Sequence, residues 1–411
     1  MSKITDLLPE MKTGNELISK LETLPFYDKS ICMEDMTTRL TALSDLYDIY
    51  IPSFMSVEIY SKLYLSLVRS LNKKHTRIST IQQNENFKGI SGQEYRGIMG
   101  GSDSFTIIGS SGIGKSSAIS RAMDVITENR IIETSEPYCK VIPCVVVQCP
   151  FDSSVKGLLL EILRKVDEWL NSSYYENALR SRATTDMLIG SVSQVSLNHI
   201  GLLIVDEIQN VCNSKNGKSL VGVLTQLINN SGISICMVGT PESSIFFEQA
   251  MQLARRSLGL QYGAMKYDMH FKGFCEKLFS YQYLRKEMVL TDSIIQWLYE
   301  HSAGITSVVV TLIHDAQELA ILNGSEELNM QNLNEAYMKR LSLLHGYIKP
   351  EIPSKMYCNK PKTNLTIQAK GDEKRTFRRN VLQDMLSISK SQQIDILNLI
   401  RKEIHVEEVR I

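Results

Sequence analysis

Between residues 104 and 270 the chain alternates short apolar runs with stretches of helical periodicity. The runs fall at 105–108, 141–148, 201–205, 233–238 and, more weakly, 265–271. Near-continuous apolar runs mark strands buried on both faces, because helices cover both sides of a parallel sheet. Strands alternating with helices predict an α/β domain with right-handed crossovers. Before this region the pattern is helical. SFMSVEIYSKLYLSLVRSLNKK has apolar residues at helical spacing and ends in Arg69, Lys73 and Lys74, charges that suit a helix C-terminus. The Gly-rich polar stretch 89–101 reads as a loop. After Cys275 strand signals stop, and two helical patterns follow, with Thr291 and Asn329 as expected caps. Pro350, Pro353 and Pro361 punctuate a linker. The end carries Val381, Met385 and Ile388, then Leu397, Ile400 and Ile404, at three- to four-residue steps; this predicts amphipathic helices able to dock on a partner.

Composition changes this picture little. The 411 residues are ordinary in apolar content and carry 45 basic against 45 acidic side chains. Zero net charge argues against a generic nucleic-acid coat, yet residues 355–379 hold eight Lys/Arg against two acids. No apolar run reaches membrane-spanning length, and the first ten residues lack the apolar stretch of a secretory signal, so a cytoplasmic protein without membrane contact is expected. The eight cysteines show no metal-binding spacing and are expected to be buried reduced thiols.

The chemistry is concentrated in two segments. GSSGIGKS, comprising Gly109, Ser110, Ser111, Gly112, Ile113, Gly114, Lys115 and Ser116, matches G-x-x-x-x-G-K-[ST] between an apolar run and a helical pattern. Glycines let backbone N–H groups close on phosphates, and the helix that begins near Lys115 turns its positive end toward the anion. Lys115 is expected to neutralise β/γ oxygens of ATP, Ser116 to ligate Mg²⁺, and Ser117 to complete the cradle. In GLLIVDEIQN a buried strand carries Asp206 and Glu207 to the sheet edge where open α/β sheets bind ligands. Asp206 is expected to hold Mg²⁺ through water and Glu207 to polarise the attacking water. Paired acids favour hydrolysis over nucleotide binding alone.

A third buried strand ends at Thr240, either a contact to the γ-phosphate or attacking water, or simply the turn before Pro241. LARRSLG then presents Arg255 and Arg256. Either arginine, offered to the γ-phosphate of a neighbouring subunit, would neutralise charge developed during transfer; a solvated helix end is the alternative.

In order and rough spacing these motifs resemble the AAA+ ATPases, with the segment after Cys275 in the place of the AAA+ lid. LLIVDEIQNV, ISICMVGTPESSIFFE and LARRSLG look more narrowly like the ATP-dependent transposition regulators TnsC, with TniB and IstB proteins as relatives. The resemblance covers about 104–346. It implies an AAA+ P-loop α/β fold: a parallel five-stranded sheet flanked by helices, a small helical lid, and helical N- and C-terminal extensions. The expected divisions are 1–100 extension, 101–274 ATPase core, 275–347 lid, and 348–411 basic linker with partner-binding helix.

The resemblance further implies assembly as rings or helical filaments on duplex DNA, linking a target selector to transposase subunits. By the same similarity Lys156, and polar residues from Asn171 to Tyr174, would lie by the DNA backbone, without sequence preference; a solvated surface lysine is the alternative for Lys156. One departure is visible: AGITS puts Ser307 where many AAA+ lids carry a nucleotide-sensing arginine. Other readings are a replication initiator or helicase loader, an interaction scaffold that holds nucleotide as a structural ligand, and a small-molecule kinase. The last thirty residues are too short for the helix-turn-helix an initiator often carries, and the paired acids disfavour the scaffold and kinase.

Overall fold

The computed structural model describes residues 4–99, 104–135, 138–213, 217–244 and 258–348, all within one compact unit. In chain order the elements are α1 (Gly14–Leu21), α2 (Met36–Ala42), α3 (Phe54–Leu71), α4 (Arg77–Ile90), β1 (Phe105–Gly109), α5 (Lys115–Thr127), β2 (Ile132–Ser135), β3 (Tyr138–Gln148), α6 (Val155–Leu170), α7 (Tyr174–Arg180), α8 (Thr185–His199), β4 (Ile200–Asp206), α9 (Gly217–Ser231), β5 (Ser234–Gly239), β6 (Leu258–Tyr262), α10 (Met269–Phe279), α11 (Asp292–Ser302), α12 (Thr306–Leu322) and α13 (Met330–Arg340).

The sheet has the order β2-β3-β4-β5-β1-β6, parallel throughout except for the β2–β3 pair. Along β4, Leu202 and Ile204 face one hydrophobic cluster with α3 and α5, while Leu203 and Val205 face another with α6, α8 and α9. Successive strand residues point to opposite faces, so only a strand covered on both sides can bury all four. Among the described residues no single helix is long and apolar enough to cross a membrane. Among the described residues Cys139, Cys144, Cys149, Cys236 and Cys275 are buried, and Cys32 is half-buried.

Two strand expectations need correction. The sheet has six strands, not five, because β2 pairs antiparallel onto β3. Only Ile132 of β2 is buried, so no apolar run announces it. The edge strand lies at Leu258–Tyr262, not 265–271. Met265 N–H instead donates to Gly304 O (2.9 Å), and the Asp268 carboxylate caps α10, accepting from His270 and Phe271 N–H. Phe271 is a core residue of that helix. Thr291 and Asn329 do cap α11 and α13 through their side chains.

The described residues up to Leu71 form a strap over two bodies. Leu17, Leu21, Ile59 and Leu63 belong to the core under the sheet, whereas Leu43, Leu46 and Ile49 belong to the apolar interior of α10–α13. Arg39, 1% exposed, forks its guanidinium onto both Glu326 carboxylate oxygens (2.6 and 2.7 Å) and donates to Tyr283 O. Lys74 departs from the sequence expectation: its ammonium is buried and donates to Ser196 and Leu197 O (2.8 and 2.6 Å), completing the end of α8 rather than its own helix. The basic linker and helices expected in 349–411 lie outside the described residues.

Candidate nucleotide site

The turn after β1 takes shapes that only glycine adopts without strain. Gly112 and Gly114 have φ of +80° and +91°. A Cβ on Gly109 would meet Ile113 Cδ1 at 2.6 Å and Tyr262 O at 2.8 Å. Gly114 then caps α5 with no side chain, leaving the first N–H groups of the helix to an external acceptor. Lys115 closes the loop by donating to Gly109 O (2.6 Å) and Ser110 O (2.9 Å). Half-burial lowers its ammonium pKa, with Asp206, Glu207 and Glu242 opposing the shift.

β4 brings the two acids opposite this turn. Ser116 Oγ donates to Asp206 Oδ2 at 3.3 Å, and Asp206 Oδ1 accepts from Glu207 N–H at 2.8 Å. Glu207 is exposed and held at φ +56°, a strained conformation for a side chain of its size. Thr240, at the end of β5, gives its hydroxyl to Glu242, whose carboxyl is lowered by that bond, by its own backbone and by Lys115. Ser111, Gly112, Ile113, Gly114, Lys115, Ser116, Ser117, Asp206, Glu207 and Thr240 thus line one cavity of about 1100 Å³.

Other lining residues carried no signal in the sequence. Tyr50, Ile51, Pro52, Phe54 and Met55, from the strap, form an apolar wall of that cavity. Tyr262 donates to Glu58 Oε2 (2.8 Å) within the same wall. Nothing local distinguishes these residues from ordinary helix-start residues; only the return of the strap to the sheet brings them there. From the other side α12 docks on the turn: Ser307 N–H and Thr306 Oγ1 both donate to Gly112 O at 3.0 Å. A Cβ on Gly112 would lie 2.3 Å from Ser307 Oγ. At Ser307, where many AAA+ lids carry an arginine, the chain therefore makes a close backbone contact between this helix and the phosphate turn.

The residues fit magnesium and a triphosphate. Ser116 and Asp206 offer neighbouring hard oxygen donors, and no side chain caps the first N–H groups of α5. Lys156 is exposed in the first turn of α6, which Ser154 caps. Asn171 to Tyr174 begin at the opposite end of that 16-residue helix, about 24 Å away. Arg255 and Arg256 lie outside the described residues.

A phosphate-binding turn on β1, an acid-bearing β4 separated from it by β5, and a helical lid against the turn define a P-loop protein of the AAA+ class. The model of the bacterial TniB protein family matches residues 98–260, so this part of the chain is similar to TniB proteins. No curated protein matches the sequence significantly. Among solved structures, Orc1 of Aeropyrum pernix in complex with DNA is 15% identical with TM-score 0.42, over 65% of each chain. Cdc6p of Pyrobaculum aerophilum is 10% identical with TM-score 0.41, over 62% of this chain and 64% of that one. A Walker-type ATPase of Pyrococcus abyssi is 11% identical with TM-score 0.38, over 65% and 73%. The chain thus spans just under two thirds of the length of the first two.

Proposed function

We propose that this protein is an ATP-hydrolysing switch of DNA transposition, assembling on duplex DNA and coupling target selection to transposase activation. The observation that carries the ATPase part is the single cavity joining the glycine turn, Lys115, the Ser116–Asp206 pair and Glu207. In it the α5 N–H groups and Lys115 hold the phosphates, Ser116 and Asp206 hold the metal, and the apolar strap wall takes the base. A magnesium ion bound there supplies charge neutralisation on the phosphate oxygens. Glu207 orients the attacking water and accepts its proton, and Thr240 steadies the γ-phosphate side. Arg255 or Arg256 completes the site of a neighbouring subunit in a ring or filament, making turnover depend on assembly.

The TniB match and the motif resemblance support transposition, with transposase subunits and a target selector as partners. Lys156, exposed at the start of a helix, supports contact with the DNA backbone. The test compares ATP-dependent assembly on a random-sequence duplex for the parent, Lys115→Ala and Glu207→Gln. Lys115→Ala is expected to lose ATP binding and assembly. Glu207→Gln is expected to bind ATP, lose turnover about 10²–10⁴-fold, and leave long-lived assemblies. Assembly by Lys115→Ala equal to the parent's would exclude nucleotide gating.

A further inference from the structure

The strap wall of the cavity holds one acid among apolar side chains and polar groups already spent on each other. Tyr50 Oη and Ser56 Oγ satisfy each other at 2.6 Å, and Ser56 Oγ also accepts from Ser53 N–H at 3.0 Å. Glu58, half-buried in the second turn of α3, lines the same cavity. Its Oε2 accepts from the Tyr262 phenol at 2.8 Å. Among the described residues Glu58 makes no ion pair, and no donor reaches Oε1. A carboxylate drawn partly out of water without a cation calls for a further donor.

Placement says what that donor belongs to. Met55 Cε lies 4.0 Å from where a Gly114 Cβ would stand, so the wall begins beside the phosphate turn. Glu58 follows three residues later on the same helix face, about 4.5 Å further along the axis. Tyr262 ends β6 in register with Gly109 and holds the carboxylate from the sheet side. Burial and the Glu58 bond raise the pKa of this phenol, so it stays a donor. A triphosphate repels a carboxylate, so Glu58 belongs at the uncharged nucleoside end. The donors there are the amino group of the base and the sugar hydroxyls. The adjoining surface of Ile51, Pro52 and Met55 is apolar and suits a flat ring, which turns the amino edge of the base toward Oε1.

We infer that Glu58 is a specificity-determining residue whose free carboxylate oxygen accepts from the 6-amino group of the bound purine, with Tyr262 positioning it. This deepens the ATPase reading proposed above and rests on it. An acceptor-only group favours adenine, whose 6-position donates, and repels the carbonyl oxygen that hypoxanthine carries there. The choice of base is thereby made by the strap, apart from the motifs that hold the phosphates.

Calorimetric binding of nucleoside diphosphates, which the site does not turn over, tests this on the full chain. The probes are ADP, inosine diphosphate and purine riboside diphosphate, which lacks only the amino group. The parent is expected to bind ADP about tenfold to a hundredfold tighter than either analogue, the equivalent of one hydrogen bond to a charged acceptor. Glu58→Gln offers both N–H and C=O at the same place, so inosine diphosphate should come within about threefold of ADP. Glu58→Ala should bind ADP and the purine riboside analogue alike, and Tyr262→Phe should weaken the preference without removing it. Glu58→Gln, close in shape, should melt like the parent. A parent that binds ADP and the purine riboside analogue equally, or Glu58 variants that keep the parent's preference, overturn the assignment of Glu58 alone. So does a Glu58→Gln variant that loses discrimination against 2′-deoxy-ADP while still selecting the amino group, since its carboxylate would then have served the sugar. A folded parent that binds no adenine nucleotide overturns the ATPase reading and this assignment together.

Discussion

Individual side chains in this protein act over long sequence separations. Lys74 sits 122 and 123 residues from the carbonyls that accept from it, with its ammonium fully enclosed. Burial pushes its pKa from 10.5 down to about 7. Above about pH 7 the native lysine has lost its proton while the unfolded one keeps it up to 10.5, so the unfolded state binds more protons and stability rises with pH. His75 and His199, both lowered below 6.5 by burial, act only on the acid side of this window. The nearby Cys139 thiol, raised from 9.0 by burial, opposes the trend only at its alkaline end. The urea midpoint of the parent is therefore expected to increase just above neutrality, and that increase should flatten in Lys74→Met. An equally steep rise in Lys74→Met would assign it to other groups.

Among elements, the strap stands out because it belongs to two cores at once. Its α2 is fixed to the lid by Arg39, whose charge is almost wholly removed from water and answered by Glu326. Such a pair is costly to break from one side, since the remaining charge has no partner. Arg39→Ala should lower the unfolding free energy by about 3–5 kcal/mol, and Arg39→Met with Glu326→Leu should recover most of it. Calorimetry of the parent and the two variants measures this; a loss under about 1 kcal/mol in Arg39→Ala would mean that water reaches the pair. The strap was the least legible part of the chain. Its helical spacing predicts α3 correctly, yet periodicity reports only that a face is apolar, not which body covers it. The buried strands were legible for the opposite reason: coverage on both faces makes every position apolar, as at 202–205 in β4. Where one face stays open, as at β2 and β6, the signal weakens or moves, and those two strands were missed or misplaced.

For the whole molecule, the nucleotide cavity is a meeting point of three bodies: sheet, strap and lid. Gly112 O receives two donors from the first turn of α12, while Tyr50 to Met55 wall the same space. A ligand gripped by all three should stabilise them together. With Mg-ATP at about a hundred times its Kd, stabilisation near 2.7 kcal/mol is expected, and proteolytic cleavage within residues 25–50 should slow in parallel. Protection of the core without protection of the strap would place the bound base away from Tyr50 to Met55. The same convergence docks the lid through Ser307, whose backbone N–H already donates to Gly112 O of the phosphate turn.

What the sequence determined by itself is the glycine turn and the acid-bearing strand end on which the proposed phosphate and metal chemistry rests. Gly109 to Ser116 and Asp206 to Glu207 are each contiguous, and the roles proposed for them rest on local backbone freedom and on charge at a strand end, both readable over a few residues. Tertiary structure alone decided which distant groups attend them. The hydrogen bond from Thr240 N–H to Gln209 Oε1, the apolar wall from the strap and the lid's grip on Gly112 all join residues 31 or more positions apart. Such contacts depend on how strands are ordered in the sheet and how the chain returns across it, and that order is set by packing between elements rather than by any pattern within one.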